Sequence, residues 1–363
     1  MTPDVAPTAS LTRAAASVPA PPGTYRLQAG RSLTVLVPRR AAAVGAVLTV
    51  ACVLLAAVAL GVGSSSQSYA DVLEVLRGGG SRVDRLVVLG WRLPRTVLAL
   101  TVGAALGVSG AIFQELTRNP LGSPDLIGFT TGAQTGILVT VLLGGGALSV
   151  GPAALVGGAT VALLVHTLAA RGGFGGLHLV LIGIAVTAML GSFNRWLLLR
   201  TDAASAYGAA KAVTGSLAAA DARVATWAVL ATCIVGALTL LHSRDLRSLD
   251  LGHDLATALG TSLRRARGTL VLLGAALVAI ATTAAGPIAF VALAAPHAAR
   301  LMTRAPSAPL LVSGTTGALM LLAADVTAQT LLDGLPVGVV TASTGGLYLL
   351  LLLVSDSRTR TAP

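Results

Sequence analysis

The chain has 363 residues, of which 54% are hydrophobic and 11% charged, with a formal net charge of +11 and a mean hydropathy of +0.83. Those proportions exclude an ordinary soluble globular protein. Apolar runs of about 20 residues, each able to cross a hydrocarbon layer of roughly 30 Å as a helix, recur along the chain, so the expected class is all-α and integral to a membrane.

Every basic residue except Lys211 is an arginine, and these sit in short connections between apolar runs. Such a distribution orients helices in a bilayer and leaves no clustered footprint for nucleic acid. Lys211 is flanked by alanines, so the chain has no GxxxxGK[ST] loop, and any ATP hydrolysis that drives it must come from another subunit. Cys52 and Cys233 fall inside apolar runs, and His166, His178, His242, His253 and His297 show no ligand spacing. No disulfide framework, metal site or catalytic constellation is indicated.

In chain order, residues 1–38 are rich in Pro, Ala, Ser and Thr and read as a disordered cytoplasmic tail, although an organellar transit peptide has a similar composition. A transmembrane domain over residues 39–356 follows. Its first span is Ala41–Gly63, and Arg39 and Arg40 put the leading side in the cytoplasm. Residues 64–95 form an outer segment with a short interfacial helix over Tyr69–Leu76. The second span, Thr96–Leu116, turns at Arg118-Asn119-Pro120 into a third within Leu121–Leu143. An outer turn at Gly144–Gly146 leads to Val150–Leu168, and a short connection, Arg171–Gly176, leads to Leu177–Leu199. Residues 201–221 are an outer re-entrant or interfacial segment, and the sixth span is Thr226–Leu241.

The long charged connection His242–Arg267 precedes Thr269–Ala285. Gly286-Pro287 breaks the chain before a short eighth span, Ile288–Met302. The ninth is Ala308–Leu322, extending to Asp325, and the tenth is Val337–Val354, followed by a cytoplasmic tail over residues 357–363. Ten spans place both termini inside. Arg77, Arg82, Arg85, Arg92 and Arg95 then lie outside, against the charge rule.

Three local features stand out. Gly103 and Gly107 form a GxxxG continued by Gly110, the mark of a closely packed membrane helix. Asp325 is read as the only carboxylate near a span interior, serving either as a pathway residue or as a hydrogen-bonding group within the bundle. Leu251, Leu255, Leu259 and Leu263 recur at four-residue spacing, punctuated by Gly252 and Gly260. That stripe suits a helix lying on the membrane face or one presented to a soluble partner.

Four separated strings carry a resemblance. They are RLPR with GAALGVSGAIFQELTRNPLGSPDLIGF, then LGHDLATALG, GPIAFVALAAPHAARL and LPVGVVTA, in that order between Trp91 and Ala342. Together they resemble the iron-siderophore/vitamin B12 class of ABC importer permeases, the first string being most like the ferric enterobactin branch. The resemblance implies a type II importer permease fold of about ten helices in the bacterial cytoplasmic membrane. It also implies a second permease subunit, two ABC ATPases that bind ATP and Mg, an extracytoplasmic siderophore-binding protein and a ferric siderophore as substrate; no cofactor is expected in this chain. Arg92 and Arg95 match outward-facing arginines on which the binding protein docks. Leu251, Gly252, Asp254, Leu255, Ala258, Leu259 and Gly260 match the segment that couples to the ATPase. Gly103, Gly107, Gly110, Gln114, Asn119, Pro120, Gly286, Pro296, His297, Arg300, Asp325, Pro336 and Gly338 match motif positions assigned to bundle architecture. Spans five and ten are expected to line the path.

The chain departs from that pattern where an arginine and a glutamate are usual, at Gln329 and Gly334, and at Gly345-Gly346-Leu347-Tyr348 near span ten. Loss of a third docking arginine suggests pairing with a different permease chain. Cobalamin and haem importers are alternatives within the class. A gradient-driven secondary transporter is the alternative outside it, and an integral membrane enzyme ranks third.

Overall fold

The computed structural model describes residues 23–29, 33–63, 68–125, 128–144, 150–171 and 176–360. Residues 1–22 of the expected tail, the end of the 144–146 turn, positions 172–175 and positions 361–363 lie outside the described residues. Part of the expected tail is ordered: β1 (Thr24–Ala29) and β2 (Leu33–Pro38) pair antiparallel, with Thr24 opposite Pro38. The hairpin abuts α1 (Arg39–Gly61), where the Arg39 guanidinium lies 5.3 Å from the Tyr25 ring centre.

Short helices follow where the sequence supplies caps. α2 (Tyr69–Leu76) and α3 (Arg82–Arg85) each begin with a serine capping box, Ser68 with Asp71 and Ser81 with Asp84, which satisfies otherwise unpaired N–H groups. A π-helical turn, Leu86–Arg92, joins α3 to α4 (Leu93–Thr117). Pro94 has no N–H to give the carbonyl four residues back, which favours the wider turn just before it. The remaining helices are α5 (Phe129–Leu142), α6 (Val150–Arg171), α7 (Gly176–Leu199), α8 (Ala203–Ala212), α9 (Ala222–Leu241), α10 (Ser243–Asp250), α11 (His253–Ala258), α12 (Leu263–Ala285), α13 (Val291–Thr303), α14 (Leu310–Leu331) and α15 (Val337–Arg360).

Seven of these are long and apolar enough to cross a membrane: α1, the continuous helix ending in α4, α6, α7, α9, α12 and α14. Two further apolar stretches, α5 and Val337–Leu351 of α15, are shorter, and the 13-residue α13 stands at the expected eighth span, roughly in line with the expected ten. The chain is thus an all-α, multi-pass membrane protein. The third helix, Phe129–Leu142, lies within the expected Leu121–Leu143 and follows a left-handed Gly128 (φ 91°). Two other boundaries need correction. The ninth helix continues to Leu331, so Asp325 lies within it. The last helix runs to Arg360, into the expected C-terminal tail.

α4 is the centre of the bundle, packing on α9, α12, α13 and α14. A Cβ on Gly103 would lie 2.3 Å from the Gly317 carbonyl oxygen, and one on Gly107 2.2 Å from that of Ser313. The GxxxG is therefore an intrachain seam with α14. Gly110 approaches the Ala292 carbonyl so closely that no side chain fits. Pro296 sits inside α13 and leaves that carbonyl without its usual helical donor. Small residues let backbones meet where lipid supplies little drive for association. Gly107→Ala is expected to destabilise the chain by about 1–3 kcal/mol through overpacking, measured as a lowered thermal midpoint in detergent. An unchanged midpoint would show that α4 and α14 can separate freely.

A glycine node also joins the elements flanking the eighth and tenth spans. Gly338 N–H donates to the Gly215 carbonyl at 2.9 Å, and Ser216 N–H donates to that of Ala285 at 2.8 Å. Gly286 (φ 72°) packs on the Gly215 backbone. Gly286 and Gly338 thus have an architectural reason, while Gly215, their shared partner, stands out in no sequence pattern.

Candidate functional site

Functional candidates gather at the two ends of the bundle. At one end the continuous helix carries Arg92 and Arg95 one turn apart. Arg92 is buried, and its Nη1 donates to the Leu60 carbonyl at 2.9 Å, beside Gly63. Arg95 forms a forked pair with Asp325 of α14, Nη2 to Oδ1 at 2.8 Å and Nε to Oδ2 at 3.0 Å. Gln329, one helical turn further along, donates from Nε2 to Asp325 Oδ2 at 2.8 Å. Exposure of the two side chains is 24% for Arg95 and 2% for Asp325.

Each guanidinium is engaged within the bundle. The physical reason is the carboxylate. A buried Asp325 needs a compensating cation and hydrogen bonds, and Arg95 supplies both in a geometry lysine lacks. Gln329, marked in the sequence as a lost arginine, adds a neutral third donor. Arg77 and Arg82 remain exposed at this end, whereas the exposed Arg85 is tethered to the carbonyls of Gly78 and Gly79.

At the opposite end α10 and α11 form the connection before α12. The expected leucine stripe is not one helix: Gly252 (φ 107°) and Gly260 (φ 80°) break it, because left-handed backbone is open mainly to glycine. Leu251, Leu255 and Leu259 are nonetheless 57%, 57% and 66% exposed, while Ala256 is fully buried. Asp254, Ala258 and Gly260 are exposed on the same segment. Beside it lies a cleft of about 490 Å³, its lining including His242, Asp245, Thr261, Ser262 and Arg265.

A charged cluster fastens this segment to the bundle. Arg118, left-handed at the end of α4, donates from Nη2 to the Leu249 carbonyl at 2.7 Å. Glu115 accepts from Ala308 N–H at 2.6 Å through Oε1 and also hydrogen-bonds to Asp250. Partial burial, then the hydrogen bond and charge of Glu115, push Asp250 up to about 7 against the lowering effect of Arg118. The folded chain then keeps a proton that the unfolded chain releases above about pH 4. Stability from this site is complete at low pH and is lost as pH rises through about 7. Thermal midpoints should fall between pH 5 and pH 8, and Asp250→Asn should flatten that slope; an unaltered slope would place the proton elsewhere.

Between the ends, the string NPLGSPDLIGF acquires a role. Asn119 Oδ1 accepts from Leu121 N–H at 2.9 Å, closing the turn at Pro120. Asp125 accepts from Thr130 Oγ1 and from the backbone N–H of Phe290, a left-handed residue (φ 69°) in the break before α13. Asp125 is thus a second internal carboxylate that the sequence reading missed. Its signal was its place between Pro124 and an apolar run. Gln114 Nε2 reaches the Leu293 carbonyl at 3.0 Å and holds α4 against α13.

The FecCD transport family profile matches residues 45–355. The chain belongs to the FecCD transport family. It is 44% identical to the Escherichia coli K12 ferric enterobactin transport system permease protein FepG, over 89% of this chain and 99% of that one. FepD, a permease protein of the same E. coli system, is 35% identical over 84% and 93%. The Yersinia pestis hemin transport system permease protein HmuU is 37% identical over 75% and 84%. A solved structure described as an inward-facing metal-chelate type ABC transporter superposes with a TM-score of 0.75 at 27% identity, covering 86% of this chain and 99% of that one. Within this FecCD chain, Asp325, Gln114 and the motif glycines serve packing and pairing. The α10–α11 segment and the turn at Asn119 and Pro120 present motif residues to the surroundings.

Proposed function

We propose that this chain is a permease subunit of an ATP-driven importer of ferric siderophores in a bacterial cytoplasmic membrane. The observation that carries the reading is its 44% identity to a ferric enterobactin permease over 99% of that relative's length. The exposed leucines of α10 and α11 are the surface on which a separate ATPase, with ATP and Mg, would seat. That end is then cytoplasmic, both termini share its side, and the Arg92 end faces outward. FepG and FepD share one transport system, which supports pairing with a second, different permease chain. Acidic lobes of a siderophore-binding protein would meet the exposed Arg77 and Arg82 first. Arg92 and Arg95 could join only by exchanging Leu60 or Asp325 for a partner carboxylate.

The gradient-driven alternative loses its principal candidate, because Asp325 is already committed to Arg95. Iron-limited uptake by a deletion strain, offered labelled catecholate, hydroxamate, haem and cobalamin complexes, tests the substrate. Loss of cobalamin uptake with unchanged iron-chelate uptake would overturn it.

A further inference from the structure

Three polar side chains on α13 and α15 have no part in the packing described so far. His297 and Arg300 lie one turn apart on the 13-residue α13, and Tyr348 lies near the mid-point of the 24-residue α15. The His297 and Tyr348 rings meet edge to face with centres 6.0 Å apart. His297 Nδ1 and the Tyr348 hydroxyl are both shielded from solvent, and neither has a hydrogen-bond partner among the described residues. Arg300 acts electrostatically on both rings, and no hydrogen bond or ion pair engages its guanidinium among the described residues.

The gap between the helices is set by the backbone. One turn before Tyr348, Gly345 meets Phe290 so closely that an added Cβ would lie 2.2 Å from the Phe290 Cβ. α15 packs mainly on α13 and α14, and its open side exposes Ser343 and Thr344 among leucines. That side is unusually polar for a lipid-facing helix.

An unpaired polar group inside a membrane bundle costs free energy, and here two such groups converge beside a cation. Hydroxyl, imidazole and guanidinium can all donate, and no carboxylate among the described side chains opposes them. That set suits an anion whose negative charge is spread over several oxygens.

We infer that His297, Arg300 and Tyr348 form a contact point between α13 and α15 for the anionic oxygens of the transported metal chelate, and so favour anionic over neutral chelates. This rests on the importer reading above. The ligand is held by displaceable hydrogen bonds and one cation, which suits passage rather than tight capture.

The test uses the assembled importer in lipid nanodiscs, with quenching of tryptophan fluorescence by a ferric tricatecholate (anionic) and by a neutral ferric trihydroxamate. Uptake of both is followed in parallel in cells. Arg300→Gln and Tyr348→Phe are each expected to weaken tricatecholate binding about tenfold, with trihydroxamate binding and the thermal midpoint unchanged. Arg300→Lys should retain most of the affinity. An equal fall for both chelates, or a fall that tracks the thermal midpoint, would mean a structural role and overturn the inference. Unchanged tricatecholate binding in both variants would overturn it as well. If the unsubstituted importer binds and carries neither chelate, the functional reading itself fails, and the inference falls with it.

Discussion

Asp325→Asn is expected to cost about 3–5 kcal/mol of stability, the range for removing one partner of a buried ion pair. The carboxylate is 2% exposed and receives Arg95 through two nitrogens and Gln329 through a third. Neutralising it leaves a guanidinium in a low-dielectric setting with only amide oxygens to face. Arg95→Ala should cost a similar amount, because it strands the carboxylate instead. The double variant Arg95→Leu/Asp325→Leu should recover most of the loss, since well-packed apolar pairs often match a buried ion pair. Thermal unfolding in detergent, with the amount of chain reaching the membrane, reads all three. A functional consequence separates mechanisms. Whatever Asp325→Asn protein does fold should still import in an ATP-dependent way. A correctly folded variant with no transport would return the carboxylate to the pathway and revive the gradient-driven alternative.

The second large effect lies at the other end. Leu255→Glu/Leu259→Glu should reduce uptake about 100-fold or more while leaving the chain's own stability unchanged. Both leucines are more than half exposed, so the substitutions remove no packing within the bundle. Each leucine contributes about 1.5–3 kcal/mol when fully buried against a partner, and two such losses correspond to at least a hundredfold in affinity. Co-purification of the ATPase with the variant is the direct readout. Retention of the ATPase at the unsubstituted level would show that these residues lie on the membrane surface instead.

Much of the bundle was legible in the residues. Apolar runs located the seven long membrane helices, because the bilayer sets one length scale for all of them. Arg118-Asn119-Pro120 and Gly286-Pro287 marked breaks between helices that the fold keeps. Where boundaries were missed, competing local chemistry was the cause. Gly252 and Gly260 break a stripe whose four-residue spacing was real, yet whose leucines still stay exposed.

The candidate sites divide differently. Residue types alone indicated a membrane transport subunit without its own nucleotide loop, and ordered strings pointed to its family. Which charges are available to partners was a tertiary matter. Arg92 and Arg95 are separated in sequence from Leu60 and Asp325 by 32 and 230 positions. Only the packing of α4 on α14 decides that the second pair meets inside the protein. Likewise Asp125 with Phe290, Gly215 with Gly338, and His297 with Tyr348 join elements far apart in the chain. Burial and pairing of a polar group depend on what the rest of the bundle brings to it, and hydropathy along one segment carries no record of that.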